Sequence, residues 1–238
     1  MFFPYGFYSG GYGSDWGLLL VLAAALIGLI AQWRVKSVFE KYSHVQAQSG
    51  ASAEVAAQAL LRDAGIRDVR IERSSGAALS DHYSPKEKVL RLSSSVEGSG
   101  SLAALGVAAH EVGHAMQDAE GYAPLKIRNA IAPAASLIST ASMPLFFIGL
   151  LLGYTGLAAI GVVCYLAAVI FQLITLPVEL NASSRALYAL EASGILQREE
   201  TPYAKKVLSA AANTYLAAAL MAIAQLLRMG SLLNNRRR

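Results

Sequence analysis

The sequence predicts a mixed fold in which about four transmembrane helices carry a small polar α+β domain with an H-E-x-x-H helix inside it. Three observations predict this. Apolar residues make up 55% of the 238 and charged residues only 15%, with a mean hydropathy of +0.42. Soluble globular chains carry roughly a quarter charged residues. The apolar excess is gathered into long uncharged runs, which makes lipid part of the solvent. The polar residues are gathered as well, from about Arg34 to Arg128 and from Glu179 to Lys206.

Residues 1–15 are rich in Gly, Tyr and Phe and hold no basic residue, so the positive n-region of a signal peptide is missing. A flexible tail with rings at the lipid interface is expected there. Residues 16–33 form the first span, an uncharged run from Gly17 to Trp33 with Trp16 and Trp33 at its ends. The polar domain occupies 34–128. Ser52 can cap a helix with a stripe of Val55, Ala56, Ala59, Leu60 and Ala64, ended by Gly65. Val69–Arg73 and Val89–Ser93 alternate like strands, and Asp81–Lys88 between them holds turn formers around Pro85. Ser99 or Ser101 can cap a helix running to Ala119, with Gly121 placed to end it. Such a domain has a thin core and is expected to lean on the membrane helices.

Two further spans, 129–154 (interrupted by Pro133 and Pro144) and 157–178, are joined by the turn at 153–156 and make a hairpin across the bilayer. A polar helical segment, 179–206, follows, then a fourth span at 207–227 and a basic tail at 228–238. No internal repeat or heptad run is present.

The net charge of +4 comes from 20 Lys and Arg, of which 12 lie in 34–128, four in 179–206 and four beyond the last span. The positive-inside rule places the polar domain of this multi-pass cell-membrane protein in the cytoplasm and the N-terminus outside. The terminal Arg236, Arg237 and Arg238 conflict with that orientation unless the fourth helix re-enters or lies flat. The basic residues show no aromatic interleaving, which argues against a nucleic-acid partner. One cysteine, Cys164, excludes an internal disulfide and a Cys-rich metal site.

His110-Glu111-Val112-Gly113-His114 is an H-E-x-x-H within a helical segment. Residues four apart share a helix face, so both imidazoles reach one metal ion. Glu111 sits about 100° round from His110, near enough to take a proton from a water at that metal. This is the pattern of one catalytic zinc ion that activates water, with the carboxylate as general base. Two His and a Glu on a mostly apolar helix are also expensive to bury without such compensation. A catalytic zinc needs a third protein ligand and an open position. No histidine lies in Gln117–Pro124, so a carboxylate from another helix is the natural source. Glu179 directly follows an apolar span and Pro177, and the hairpin returns it to the side of His110. Glu120 and Glu191 are the alternative carboxylates, and a third histidine could only be His44 or His82.

The chain resembles the YugP-like neutral zinc metallopeptidases of bacterial membranes. The resemblance rests on Ala109-His110-Glu111-Val112-Gly113-His114-Ala115 and on Pro177-Val178-Glu179-Leu180-Asn181-Ala182-Ser183-Ser184-Arg185-Ala186. Asp81-His82-Tyr83 and Tyr122-Ala123-Pro124-Leu125 are also similar, and the likeness runs from about Ala31 to Leu227. It implies a zincin-like domain in which His110, His114 and Glu179 bind zinc and Glu111 is the catalytic base. The arrangement is more distantly similar to membrane zinc proteases of the CAAX-processing and heat-shock quality-control types. Those carry an Asp where this chain has Ser183, and the nearer family generally has an acidic residue where it has Asn181.

His82 is a candidate catalytic residue that could stabilise the developing oxyanion; the plain alternative is an exposed loop histidine. Asp81 either orients His82 or starts a turn, and Tyr83 is a further candidate donor. Arg185 pairs with a carboxylate near the metal or with lipid phosphate, and His44 reads as a surface residue. Val89–Leu92 is a candidate edge strand for extended peptide. The expected partners are the bilayer and a protein or peptide substrate, membrane-associated or unfolded. The alternative class is a non-catalytic zinc-binding membrane protein, against which the intact Glu111 argues. A transporter is disfavoured because the spans lack midplane charges.

Overall fold

The computed structural model describes residues 16–76 and 80–236, so the expected tail at 1–15 and the last two arginines lie outside the described residues. Among the described residues, four helices are long and apolar enough to cross a membrane: α1 (Trp16–Ser43), α4 (Ala123–Leu151), α5 (Thr155–Ala192) and α6 (Thr201–Arg236). On α1, Leu22, Leu26, Leu29 and Trp33 stand exposed. An apolar face of that extent is unfavourable in water and natural in lipid. The protein is therefore a multi-pass membrane protein.

The helices outrun their apolar stretches. At 38 residues, α5 is roughly 57 Å long, so it leaves the bilayer and carries Glu179 into the polar domain. Pro177 lies within it without ending it. In α6 there is one unbroken helix of 36 residues, which runs antiparallel to α1: Gly17 sits against Arg228 at one end and Tyr42 against Tyr203 at the other.

The remaining elements are α2 (Ala53–Asp63), β1 (Arg70–Arg73), β2 (His82–Ser84), β3 (Val89–Leu92) and α3 (Leu102–Ala119). Ser52 caps α2 by accepting from the Val55 N–H, and Ser101 caps α3 by accepting from the Ala104 N–H. Ser99 is spent on Ser101 instead. Gly121, at φ 69°, terminates α3 in the left-handed conformation that suits glycine.

The sheet has three strands where the sequence suggested two, in the order β1-β3-β2, with β1 parallel and β2 antiparallel to β3. Three residues between Asp81 and Pro85 are too few to display a strand period, which is why β2 reads as turn. Its presence also corrects the role of Val89–Leu92. That segment is central, paired on both sides, and the edges belong to β1 and β2, of which β2 is the one beside α3. One core unites the sheet, α2, α3 and the outer turns of α5 and α6, through Leu60, Leu90, Leu92, Leu105, Leu190 and Leu208. The small domain thus completes its core with the extensions of the membrane helices.

Candidate metal centre

The centre forms where α3 crosses α5, and Gly113 is what lets them meet. A β-carbon there would lie 2.4 Å from the carbonyl oxygen of Ala182. The glycine inside the H-E-x-x-H segment therefore brings His110 and His114 against Glu179. His110 Nε2 is 3.2 Å and His114 Nε2 is 3.5 Å from Glu179 Oε2. The three ligand atoms lie within 4.8 Å of one another, the spacing of groups that can share one ion.

Each donor is aimed by a second contact. Gln117, fully buried, accepts from His114 Nδ1–H at 3.0 Å through Oε1. Its Nε2 donates to the Val178 carbonyl at 2.8 Å and to Asn181 Oδ1 at 2.9 Å. Ser183 Oγ lies 3.1 Å from His110 Nδ1, taking the place of an orienting carboxylate. With both Nδ1 atoms occupied, both Nε2 lone pairs face the common point, the arrangement in which outer partners fix imidazole ligands. Arg128, on α4, holds Glu179 Oε1 at 3.1 Å, and Tyr215, on α6, reaches the same carboxylate.

Burial works against the imidazolium of His114, but Glu179, Glu111 and Gln117 outweigh it and raise its pKa. The pocket therefore favours positive charge between these groups. Two neutral imidazole nitrogens and one carboxylate, with an open cleft beside them, are the donor set of a catalytic zinc. The residues present fit the ion.

Glu111 is buried, and its Oε2 accepts the Tyr83 N–H at 2.9 Å. That bond ties the outer side of β2 to α3 and faces the carboxylate into a cleft of about 200 Å³ beside His110, His114 and Glu179. His82 stands at the rim, exposed, with its Nδ1–H donating to the Ser80 carbonyl at 2.9 Å.

Several other sequence candidates are engaged elsewhere. The Tyr83 hydroxyl donates to Asp118, which also takes Lys88, and burial together with Asp118 raises its pKa. It does not serve the cleft. Asp81 accepts from the Ser93 N–H and hydroxyl, so it pins β3 rather than orienting His82. Arg185 forks onto Glu120 and also donates to Asn181, which removes Glu120 from the ligand candidates. His44 pairs on the surface with Glu40, and Glu191 is exposed in the last turn of α5.

Gln117, Arg128 and Tyr215 were not anticipated. For Gln117 a signal existed, since it lies three residues beyond His114 on the same helix face. Arg128 borders its apolar tract as Glu179 does, but reads as an ordinary interfacial cation.

The comparisons agree with this geometry. Residues 17–234 match the family described as "Putative neutral zinc metallopeptidase". The chain is 46% identical over 211 residues to "Putative membrane protease YugP" of Bacillus subtilis (strain 168), covering 89% of this chain and 93% of that one. No solved structure matches. A His-Glu-x-x-His helix joined by a glutamate, in a chain that this family spans almost end to end, gives a zinc-dependent hydrolytic site of zincin type, and the protein belongs to this family of neutral zinc metallopeptidases.

Proposed function

We propose that this protein is a membrane endopeptidase whose zinc is held by His110, His114 and Glu179, with Glu111 as general base and the cleft opening to the cytoplasm. The convergence of both Nε2 atoms on Glu179 Oε2, beside a buried Glu111 in the same cleft, carries this reading. When bound, zinc supplies a Lewis acid that polarises the scissile carbonyl and makes water acidic enough to attack at neutral pH.

Glu111 takes the proton of the attacking water and returns it to the leaving amine. The Tyr83 N–H holds that carboxylate in place while it is charged. Arg128 occupies Glu179 Oε1, so that Oε2 is the oxygen presented to the ion. Negative charge developing on the substrate carbonyl oxygen has two donors at hand, Tyr215 within the cleft and His82 at its rim. His82 keeps Nδ1 on Ser80, which leaves Nε2 for this role.

The substrate is an extended segment of a membrane-associated or unfolded protein, laid along the free edge of β2. The edge position of β2 beside Glu111 supports this. The cytoplasmic orientation rests on the basic residues of 34–128 and 179–206. Chelator treatment of the detergent-purified protein abolishes cleavage of an unfolded protein, and added zinc restores it. Undiminished cleavage after complete zinc removal would contradict the proposal.

A further inference from the structure

The seam between α1 and α6 ends in a second polar feature, on the same side as the metal centre. A cleft of about 540 Å³ opens there between the two helices. Arg34 and Lys41 line it from α1, and Lys205 and Lys206 from α6, with Ser209 and Asn213 further along α6. Among the described residues, none of the four cations forms an ion pair. Lys41 and Lys206 instead lie over the Tyr42 and Tyr203 rings, at 5.6 and 5.2 Å from the centroids.

Among the described residues, no carboxylate lines the cleft. Glu40 is taken by His44, and Glu200 accepts from the Gln48 and Gln197 N–H groups. Four like charges thus line one cleft without a counter-charge, an arrangement that an anion relieves.

The depth of the cleft identifies the anion. Arg34 is the first residue beyond the uncharged run Gly17–Trp33, and the apolar tract of α6 begins at Val207, so the cleft straddles the edge of the hydrocarbon layer. Ser209 and Asn213 lie about half a turn and just under two turns inside that tract and offer hydrogen bonds at the depth of lipid phosphate and glycerol. Ile30 and Leu26, four and eight residues before Arg34 and so on its face of α1, stand exposed.

From charge, depth and the adjoining apolar face, we infer that this cleft binds the headgroup of an anionic phospholipid, with its phosphodiester between Arg34, Lys41, Lys205 and Lys206 and its acyl chains along α1. Basic clefts between membrane helices at the cytoplasmic surface select such lipids. The inference rests on the cleft itself and stands whether or not the metal centre turns over substrate.

Native mass spectrometry of the full-length detergent-purified protein, titrated with phosphatidylglycerol or phosphatidylcholine, tests it. Phosphatidylglycerol is retained roughly tenfold more tightly or better. The Lys41→Gln/Lys205→Gln pair loses that preference, and so does Arg34→Gln/Lys206→Gln. The Lys36→Gln/Arg198→Gln pair, which removes the same charge outside the cleft, keeps it; zinc content reports that each variant is folded. Millimolar inorganic phosphate fails to displace the lipid. Equal retention of the two lipids by the parent overturns the inference, as does an equal loss in the Lys36→Gln/Arg198→Gln control. Displacement by inorganic phosphate assigns the cleft to a soluble anion and overturns it too.

Discussion

Gly113 and Ala182 set the distance between the two halves of the metal centre: the α-carbon of one faces the carbonyl of the other with no room for a methyl group. Because His110 and His114 flank that glycine and Glu179 precedes Ala182 by less than one turn, the ligands come together only if these two backbones touch. Gly113→Ala pushes α3 off α5. Overpacking of this kind costs about 1–3 kcal/mol, and the ligand set opens with it. Chelator titration shows weaker zinc retention together with a lowered unfolding midpoint. Parent-like values for both would show that the contact is slack.

The outer partners of the imidazoles provide a finer test. Gln117 meets three groups at once, whereas Ser183 meets only His110 in this set. Gln117→Ala lowers zinc affinity by roughly 10–100-fold, the usual effect of losing such a partner, and Ser183→Ala lowers it less. Chelator competition on folded variants ranks them. A larger effect at Ser183 would reverse the assigned order.

These contacts mark how far the sequence could be read. His110, Glu111 and His114 follow from spacing on one helix, and Glu179 from the parity of a hairpin that returns the chain to the same side. Ser183 was legible as a helix-face neighbour of Glu179. Tyr215 was not, because a tyrosine in an apolar tract looks the same whether it faces lipid or a cleft, and only the packing of α6 decides. Strand β2 is too short to show a period in the sequence, and without it β3 has the look of an edge. Asp81 and Tyr83 flank His82 in the sequence, yet their side chains serve Ser93 and Asp118.

The third ligand separates from its competitors by metal retention. Glu179→Ala lowers zinc affinity at least roughly tenfold, because the carboxylate that faces both Nε2 atoms is gone. Glu191→Ala and His82→Ala hold zinc as the parent does. Release of zinc by His82→Ala with retention by Glu179→Ala would reassign the ligand to His82.

Topology is checked by labelling single cysteines in a Cys164→Ser background. Probes at Lys86 and at Glu199, both exposed, react from the cytoplasmic face, and one near residue 8 reacts from outside. Opposite sides for the first two would break the hairpin that brings Glu179 to His110.

The central claim is that Glu111 moves the proton while the other three residues hold the ion. The most direct measurement is the rate at which zinc-loaded Glu111→Gln cleaves an unfolded protein, at matched zinc content with the parent. An amide cannot accept the proton, so the rate falls by roughly 100-fold or more with zinc still bound. Cleavage by the zinc-loaded variant at close to the parent rate would contradict the mechanism.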